Sequence, residues 1–321
     1  MDELADSLPA VEPKVKNSGT GVCLLIGASG WLGTRLIRDL KFAKVIGMRR
    51  PFLDVDMKEK MKAENVSDIV LNAAHVSLGL SYEALRTDNV MLLLRVLRLC
   101  LEFGARLHFI SSVGAMGESK LEHIVPLSST ILNAKSGYAQ TKAVCEGVIL
   151  RVAERLSCPP RVYRMGTIGP DSVSGAVNPN DMFFHLASTV RLIDCIPENS
   201  SLRLNWVPVD VLSAAIASIA VRREDSKPGV CVLHFQSNTP TVAECFASWP
   251  VSRVSLQDWR KRVDAALQPS PVKDFLLSIE FQAEGSSTVD MSETLKLLQS
   301  ESFCFEFDAK MLKQVKKQFY Y

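Results

Sequence analysis

Tyr138 stands four residues ahead of Lys142 in "SGYAQTKAVCEG", residues 136–147, a spacing that puts both side chains on one helix face. A phenol beside an ammonium is a proton-delivery device in outline. The positive charge favours phenolate and draws the hydroxyl's pKa down from about 10. Ordinary solvated helices carry such pairs too, so the pair needs company. About 25 residues upstream, "FISSVGAMG" ends a strand-like run in two hydroxyls, Ser111 and Ser112. Ser112 could hydrogen-bond a carbonyl oxygen that gains negative charge, although serines after a strand also serve as turn formers.

A second constellation lies near the start. "GASGWLG" sets Gly27, Gly30 and Gly33 in a GxxGxxG frame, with Ser29, Trp31 and Leu32 between them. It follows the apolar run "VCLLI" and opens an amphipathic stretch, the context in which glycines let a backbone approach a pyrophosphate at a helix N-terminus. A plain glycine-rich turn is the competing reading. Arg49 and Arg50 end the next strand-like run, where an NAD site often places an acid for the ribose hydroxyls. A basic pair there suits the extra phosphate of NADP, or forms a solvated turn. Asp54 either accepts from an adenine amino group or caps the helix "MKEKM". In "VLNAAHVS", Asn72, Ala73 and Ala74 sit at the C-terminal end of a buried strand and leave room for a ribose and a nicotinamide.

The elements needed to position these residues alternate. "VCLLI", "AKVIGM", "DIVLNAA", "RLHFISS", "PRVYRMGTI" and "GVCVLHFQS" read as strands, mostly apolar on both faces. Helical stretches separate them, among them "DNVMLLLRVLRLCLEFG", which Gly104 closes. Strand–helix alternation predicts an α/β fold with a Rossmann-like, doubly wound parallel sheet. Beyond about residue 170 the rhythm loosens into a polar loop, "GPDSVSGAVNPND", and short helices, which predicts a smaller, mainly helical C-terminal subdomain. The expected boundaries are a linker over 1–19, a nucleotide-binding domain over 20–170 with a returning segment at about 200–240, and a C-terminal subdomain over 171–321.

Bulk properties narrow the partners. With 321 residues, 47% hydrophobic, 22% charged and a formal net charge of +2, the chain is globular and has no field for nucleic acid. Eight cysteines without a CxxC pair and five scattered histidines give no metal site and read as buried thiols in a reducing compartment. No apolar run reaches the length of a membrane span and the N-terminus has no signal-peptide core, so the expected location is cytoplasmic.

GxxGxxG, "NAA", "ISS" and YxxxK, in this order, resemble the extended short-chain dehydrogenase/reductase family. "GYAQTKAVCE", "YRMGTIGPDSVSGAVNPNDMF", "LNWVPVDVLSAAI", "VSLQDWRKRV" and "FEFDAKMLKQV" resemble its thioester reductase branch, the terminal reductase domains of polyketide and nonribosomal peptide synthetases and their carboxylic acid reductase relatives. The resemblance implies a catalytic triad of Ser112, Tyr138 and Lys142. It implies NADPH held by Gly27, Ser29, Gly30, Trp31, Leu32, Gly33, Arg49, Arg50, Asp54, Asn72, Ala73, Ala74, Met165 and the Tyr138–Lys142 pair. The implied partner is an acyl thioester on the phosphopantetheine arm of a carrier protein, released as an aldehyde or, after a second reduction, an alcohol. The C-terminal subdomain would bind the acyl substrate. The stretch between the second strand and "DIVLNAA" is shorter than usual in the branch, which bears most on Arg50 and Asp54. Alternatives are a stand-alone carbonyl or fatty acyl-CoA reductase, a non-redox cyclase on the same fold, and a nucleotide-sensing protein. Arg222 and Arg223 read as a solvated helix end, or as a docking point for the carrier.

Overall fold

A computed structural model of the chain describes residues 2–9, 21–51, 54–77, 79–116, 120–124, 136–223, 229–236, 240–279, 281, 289–298, 303, 305 and 307–320. It forms two compact units: Met1–Gly166 with Leu212–Phe235 and Val289–Phe303, and Thr167–Val211 with Gln236–Thr288 and Cys304–Tyr321.

The first unit is built on six parallel strands, β1 (Val22–Ile26), β2 (Lys44–Met48), β3 (Val66–Leu71), β4 (Arg106–Ser112), β5 (Arg161–Met165) and β6 (Cys231–Phe235), ordered β2-β1-β3-β4-β5-β6. Strand order reverses between β1 and β3, so the sheet is doubly wound and its ligand-binding crevice is expected at the carboxyl ends of those two strands. β1, β3, β4 and β5 are buried almost throughout, as strands covered on both faces should be, although all but β1 carry buried polar or charged residues such as Asp68, His108 and Arg164.

Helices of this unit are α1 (Asp2–Asp6), α2 (Gly33–Asp39), α3 (Asp54–Ala63), α4 (Tyr82–Arg86), α5 (Leu92–Phe103), α6 (Gly137–Val152), α7 (Val209–Ala220) and α8 (Ser292–Leu298). One apolar core joins Leu24, Ile69 and Phe109 of the sheet to Met57 of α3, Leu97 of α5 and Val148 of α6. Gly104 ends α5 in the left-handed region at φ 68°, its N–H returning to the Cys100 carbonyl at 2.8 Å. Between α4 and α5 the helix widens into a π turn over Thr87–Met91, which sets the side chain of Asn89 into the core.

Two expectations change. Residues 2–9, part of the expected linker, are folded: α1 buries Ala5, Leu8 is buried behind it, and Arg155 donates to the carbonyls of Ala5, Leu8 and Pro9. Apolar residues spaced three apart in "LADSL" carry this, and the polar flank hides it. Arg222 and Arg223 are partly buried and tied into their own unit rather than forming a solvated helix end. Arg223 clasps Asp68 with two bonds of 2.8 and 2.9 Å, and the Arg222 carbonyl accepts from Arg161 and Arg106 at 2.7 and 3.0 Å.

Asp68 is the centre of a buried polar cluster beneath the sheet. His108 lies 3.1 Å from it through Nε2, and the Tyr163 hydroxyl lies 2.8 Å from His108 Nδ1. Burial opposes the charge on Asp68, yet hydrogen bonds from His108 and Arg223 outweigh it and hold the carboxyl well below its ordinary range. Burial also pushes His108 down to about 4, against the pull of Asp68, so the imidazole is neutral. Tyr163 therefore donates to Nδ1 while Nε2–H donates to Asp68.

The second unit has two small parallel pairs, Thr167–Gly169 with Trp206–Pro208 and Cys195–Pro197 with Ser252–Val254. The sequence rhythm did not mark them because three-residue strands show no periodicity. Its core is aromatic. Phe183 meets the Trp206 ring edge-on at 4.4 Å, and Phe246, Trp249 and Phe319 close around it. All seven described cysteines are free thiols. No described helix is long and apolar enough to cross a membrane.

Candidate active site

The glycine-rich loop leaves β1 at Gly27, whose φ of 95° is a backbone state that side chains rarely adopt. Its amide and that of Ala28 donate to the Met48 carbonyl at 2.9 and 3.0 Å, tying the loop to the end of β2. From the other side, the Asn72 amide side chain donates to the Gly27 carbonyl at 2.9 Å, and the backbone of Asn72 and Ala73 bonds the Ile26 carbonyl. Gly27, Asn72 and Ala73 are thereby brought together at the β1–β3 switch point. Ala74 follows in the same loop.

The glycines divide by what a methyl group would meet. At Gly27 it would fall 2.6 Å from the Ala73 nitrogen, and at Gly33 it would collide with the Gly27 carbonyl. Those two are required by the loop itself. At Gly30 the nearest atom would be 3.6 Å away, so the chain alone would tolerate a side chain there. This cradle fits a phosphate group approaching the backbone, and no side chain caps the first turn of α2 beside it. Gly33→Ala is expected to cost about 1–3 kcal/mol of stability through overpacking. Gly30→Ala should keep the wild-type melting temperature and instead lose about tenfold in nucleotide affinity. Thermal melts beside fluorescence titrations with NADPH check both outcomes.

Trp31 and Leu32 lead into α2, where the Arg35 guanidinium stacks 3.8 Å above the Trp31 ring. Ser29 lies exposed in the loop. Arg49 is exposed after β2, and Arg50 lies 3.7 Å from Asp88, which also receives His75 Nδ1 at 2.8 Å. Asp54 opens α3 and pairs with Arg95 on α5 at 3.1 Å, a helix-start role that the sequence left open beside adenine binding.

Across the sheet, β4 and β5 end at Ser112 and Met165, paired in register. The Ser112 hydroxyl accepts from the Gly114 amide at 3.2 Å. A methyl placed on Gly114 would lie 3.4 Å from that hydroxyl and 3.3 Å from the side chain of Ala139, so Ser112 and the first turn of α6 face one narrow space. Ser136 caps α6 by accepting from the Ala139 amide.

Tyr138 and Lys142 share a face of α6, with Lys142 Nζ 5.7 Å from the Tyr138 ring centroid. Lys142 is 2% exposed, donates to the Ile110 carbonyl at 2.7 Å and lies 4.6 Å from the Phe109 ring. Burial pushes its pKa down to about 8, with Cys145 and Glu146 pulling upward. For Tyr138 the expected downward shift is reversed. Burial raises the phenol, and Cys145 adds to the rise.

Asn89 is a residue that the sequence reading passed over. Its side chain accepts from the His75 amide at 2.7 Å and donates to the His75 carbonyl and to Thr141 Oγ1, both at 3.1 Å. Thr141 in turn donates to the Tyr138 carbonyl at 2.7 Å. One asparagine thus bolts the loop after β3 to the first turn of α6. Its only signal is a lone amide inside an apolar helix.

A parallel sheet with a glycine-rich loop at its first strand and a YxxxK helix beyond its fourth defines an oxidoreductase fold of the short-chain dehydrogenase/reductase type, built for a nicotinamide cofactor. The chain belongs to the NAD-binding family described as male sterility protein, whose profile matches residues 50–216. It is 27% identical over 282 residues to a non-canonical nonribosomal peptide synthetase, FrzA, of a Cladobotryum species, covering 78% of this chain and 27% of that protein. To the glycine betaine reductase ATRR of Emericella nidulans it is 32% identical over 208 residues, covering 61% of this chain and 16% of the relative. The chain thus spans less than a third of the length of these relatives. Its fold is that of the terminal R domain of the myxalamid PKS-NRPS pathway, with a TM-score of 0.78, 20% identity, and coverage of 98% of this chain and 96% of that one.

Proposed function

We propose that the protein is an NADPH-dependent reductase that releases a carrier-bound acyl thioester as an aldehyde. The observation that carries this reading is the stripe of Tyr138 and buried Lys142 on α6, set beside the end of β4 at Ser112. The relatives support it, since one is a synthetase and another a reductase.

When bound, the reduced nicotinamide supplies the hydride. The protein's own groups do the rest. Ser112 donates a hydrogen bond to the carbonyl oxygen where charge accumulates. Tyr138 gives its proton to that oxygen, and its raised pKa keeps the hydroxyl in the protonated form that reduction requires. Lys142 holds positive charge next to the developing phenolate. The hemithioacetal so formed on the substrate collapses to thiol and aldehyde. Among the basic groups after β2, exposed Arg49 is the one offered to the 2′-phosphate, since Arg50 is engaged with Asp88.

Because Lys142 must carry its charge, kcat/KM should fall as pH rises through about 8, the pKa of the buried ammonium, and stay level over the two units below it. A pH–rate profile checks this. The reading as a whole is tested by NADPH consumption with an acyl-pantetheine thioester. No turnover by the wild type would sink it, and a preference for NADH would remove the role of Arg49.

A further inference from the structure

Behind Lys142 lies a buried ion pair that neither hydride transfer nor cofactor binding uses. Glu146 continues the Tyr138–Lys142 stripe by one more turn and is 1% exposed. Arg164 of β5, equally buried, grips its carboxylate through Nη2 at 2.6 Å and Nε at 3.1 Å to each oxygen. Ser111 Oγ donates to the same carboxylate at 2.5 Å. Consecutive residues of β4 therefore have three separate tasks. Ile110 receives Lys142 through its carbonyl, Ser111 holds Glu146, and Ser112 faces the narrow space at the α6 N-terminus.

The far side of Arg164 is tied as well. Its Nη1 donates to the Leu121 carbonyl at 3.3 Å and to His234 Nε2 at 3.1 Å. His234 Nδ1 in turn donates to the Asp290 carbonyl at 2.7 Å. Burial and the Arg164 charge push His234 down to about 4, so its Nε2 keeps the lone pair that Arg164 needs. The segment holding Asp290 is fastened by the Glu122 carboxylate, which accepts from the amides of Glu293 and Thr294 at 2.5 and 3.1 Å. A continuous chain of bonds thus runs from β4 through α6, β5 and β6 to α8.

We propose that Glu146, anchored by Ser111 and Arg164, is a positioning residue that fixes the height of α6 against β4 and supplies the negative charge that keeps Lys142 an ammonium. The proposal rests on the reductase reading for its kinetic consequences, but not for its electrostatic one. The groups facing Lys142 are Tyr138, Cys145 and Glu146 of its own helix, and Phe109, Ile110 and Ser111 of β4, with Arg164 of β5 behind Glu146. Glu146 is the only carboxylate among them. A fully buried pair of this kind need not stabilise the fold more than apolar packing would, which makes a positional role the better reason for it.

The test separates charge from anchorage. In Glu146→Gln the shape stays and the charge goes. The titration of Lys142, followed by NMR on labelled lysine, should move to lower pH by about one unit, and the alkaline limb of kcat should move with it. In Ser111→Ala the carboxylate keeps its charge but loses its hold on β4. There the titration should stay in place while kcat falls about three- to tenfold at unchanged KM for NADPH. A Lys142 titration unmoved in Glu146→Gln overturns the proposal. If Glu146→Gln does not fold, a wild-type kcat in Ser111→Ala overturns it. A wild type without turnover whose Lys142 titration still answers to Glu146 would refute the reductase reading alone.

Discussion

Tyr138→Phe is expected to lower thioester reduction by about 10²–10⁴-fold while leaving nucleotide affinity within about twofold. The substitution removes one oxygen and leaves the ring that lies 5.7 Å from Lys142 Nζ. The position of α6 does not depend on that oxygen, because the helix is fixed by the Ser136 cap, the Thr141 bond to the Tyr138 carbonyl and the Lys142 bond to Ile110. The loss should appear in kcat rather than in KM for NADPH, since the hydroxyl acts only as charge builds on the substrate oxygen. Steady-state kinetics beside a binding titration give the answer. A mutant that reduces at the wild-type rate would mean that another group protonates the substrate.

Asp68→Ala should be the most damaging single change away from the site, at about 3–5 kcal/mol. It strips the partner from two Arg223 bonds and from the His108 N–H at once, in a place where Asp68 and His108 have no exposure. By contrast, Glu102→Ala at the exposed Lys58–Glu102 pair should change stability by less than about 1 kcal/mol. Urea unfolding of the two variants checks the difference. The same cluster sets the sign of the acid response. His108 binds a proton near pH 6.5 when unfolded but only near 4 when folded, so stability falls as pH drops through that window. Asp68, held below its ordinary range, extends the loss to lower pH, and His234 acts in the same direction. Glu122, raised by burial, acts weakly in the opposite direction.

What could be read beforehand was whatever local chemistry dictates. Buried parallel strands announce themselves as apolar runs, and Gly27 and Gly33 occupy places where any other side chain would meet backbone. The YxxxK spacing follows from helix geometry alone. What stayed hidden depends on partners far along the chain. Arg223 lies 155 residues from Asp68, and His234 reaches Asp290 across 56. Neither spacing has a period that a sequence displays. The rise in the Tyr138 pKa was missed for a related reason. Its sign depends on how far the fold takes the phenol from water and on Cys145 beside it, and the YxxxK spacing displays neither.

The two borders of the main sheet also differ in how they meet solution. At β6 the outward amide of His234 is taken by Thr294 Oγ1 at 2.9 Å and Glu122 at 3.1 Å, so that group is not offered to another strand. At β2 the connection to β3 is a single helix, and no described strand lies outside it. Self-association of strands is therefore resisted at β2 by other means. The strand is five residues long and carries an exposed charge on Lys44, at the residue where it begins. The Lys44 ammonium also reaches the Glu64 carboxylate at 2.7 Å, so that border carries an ion pair as well as a short strand.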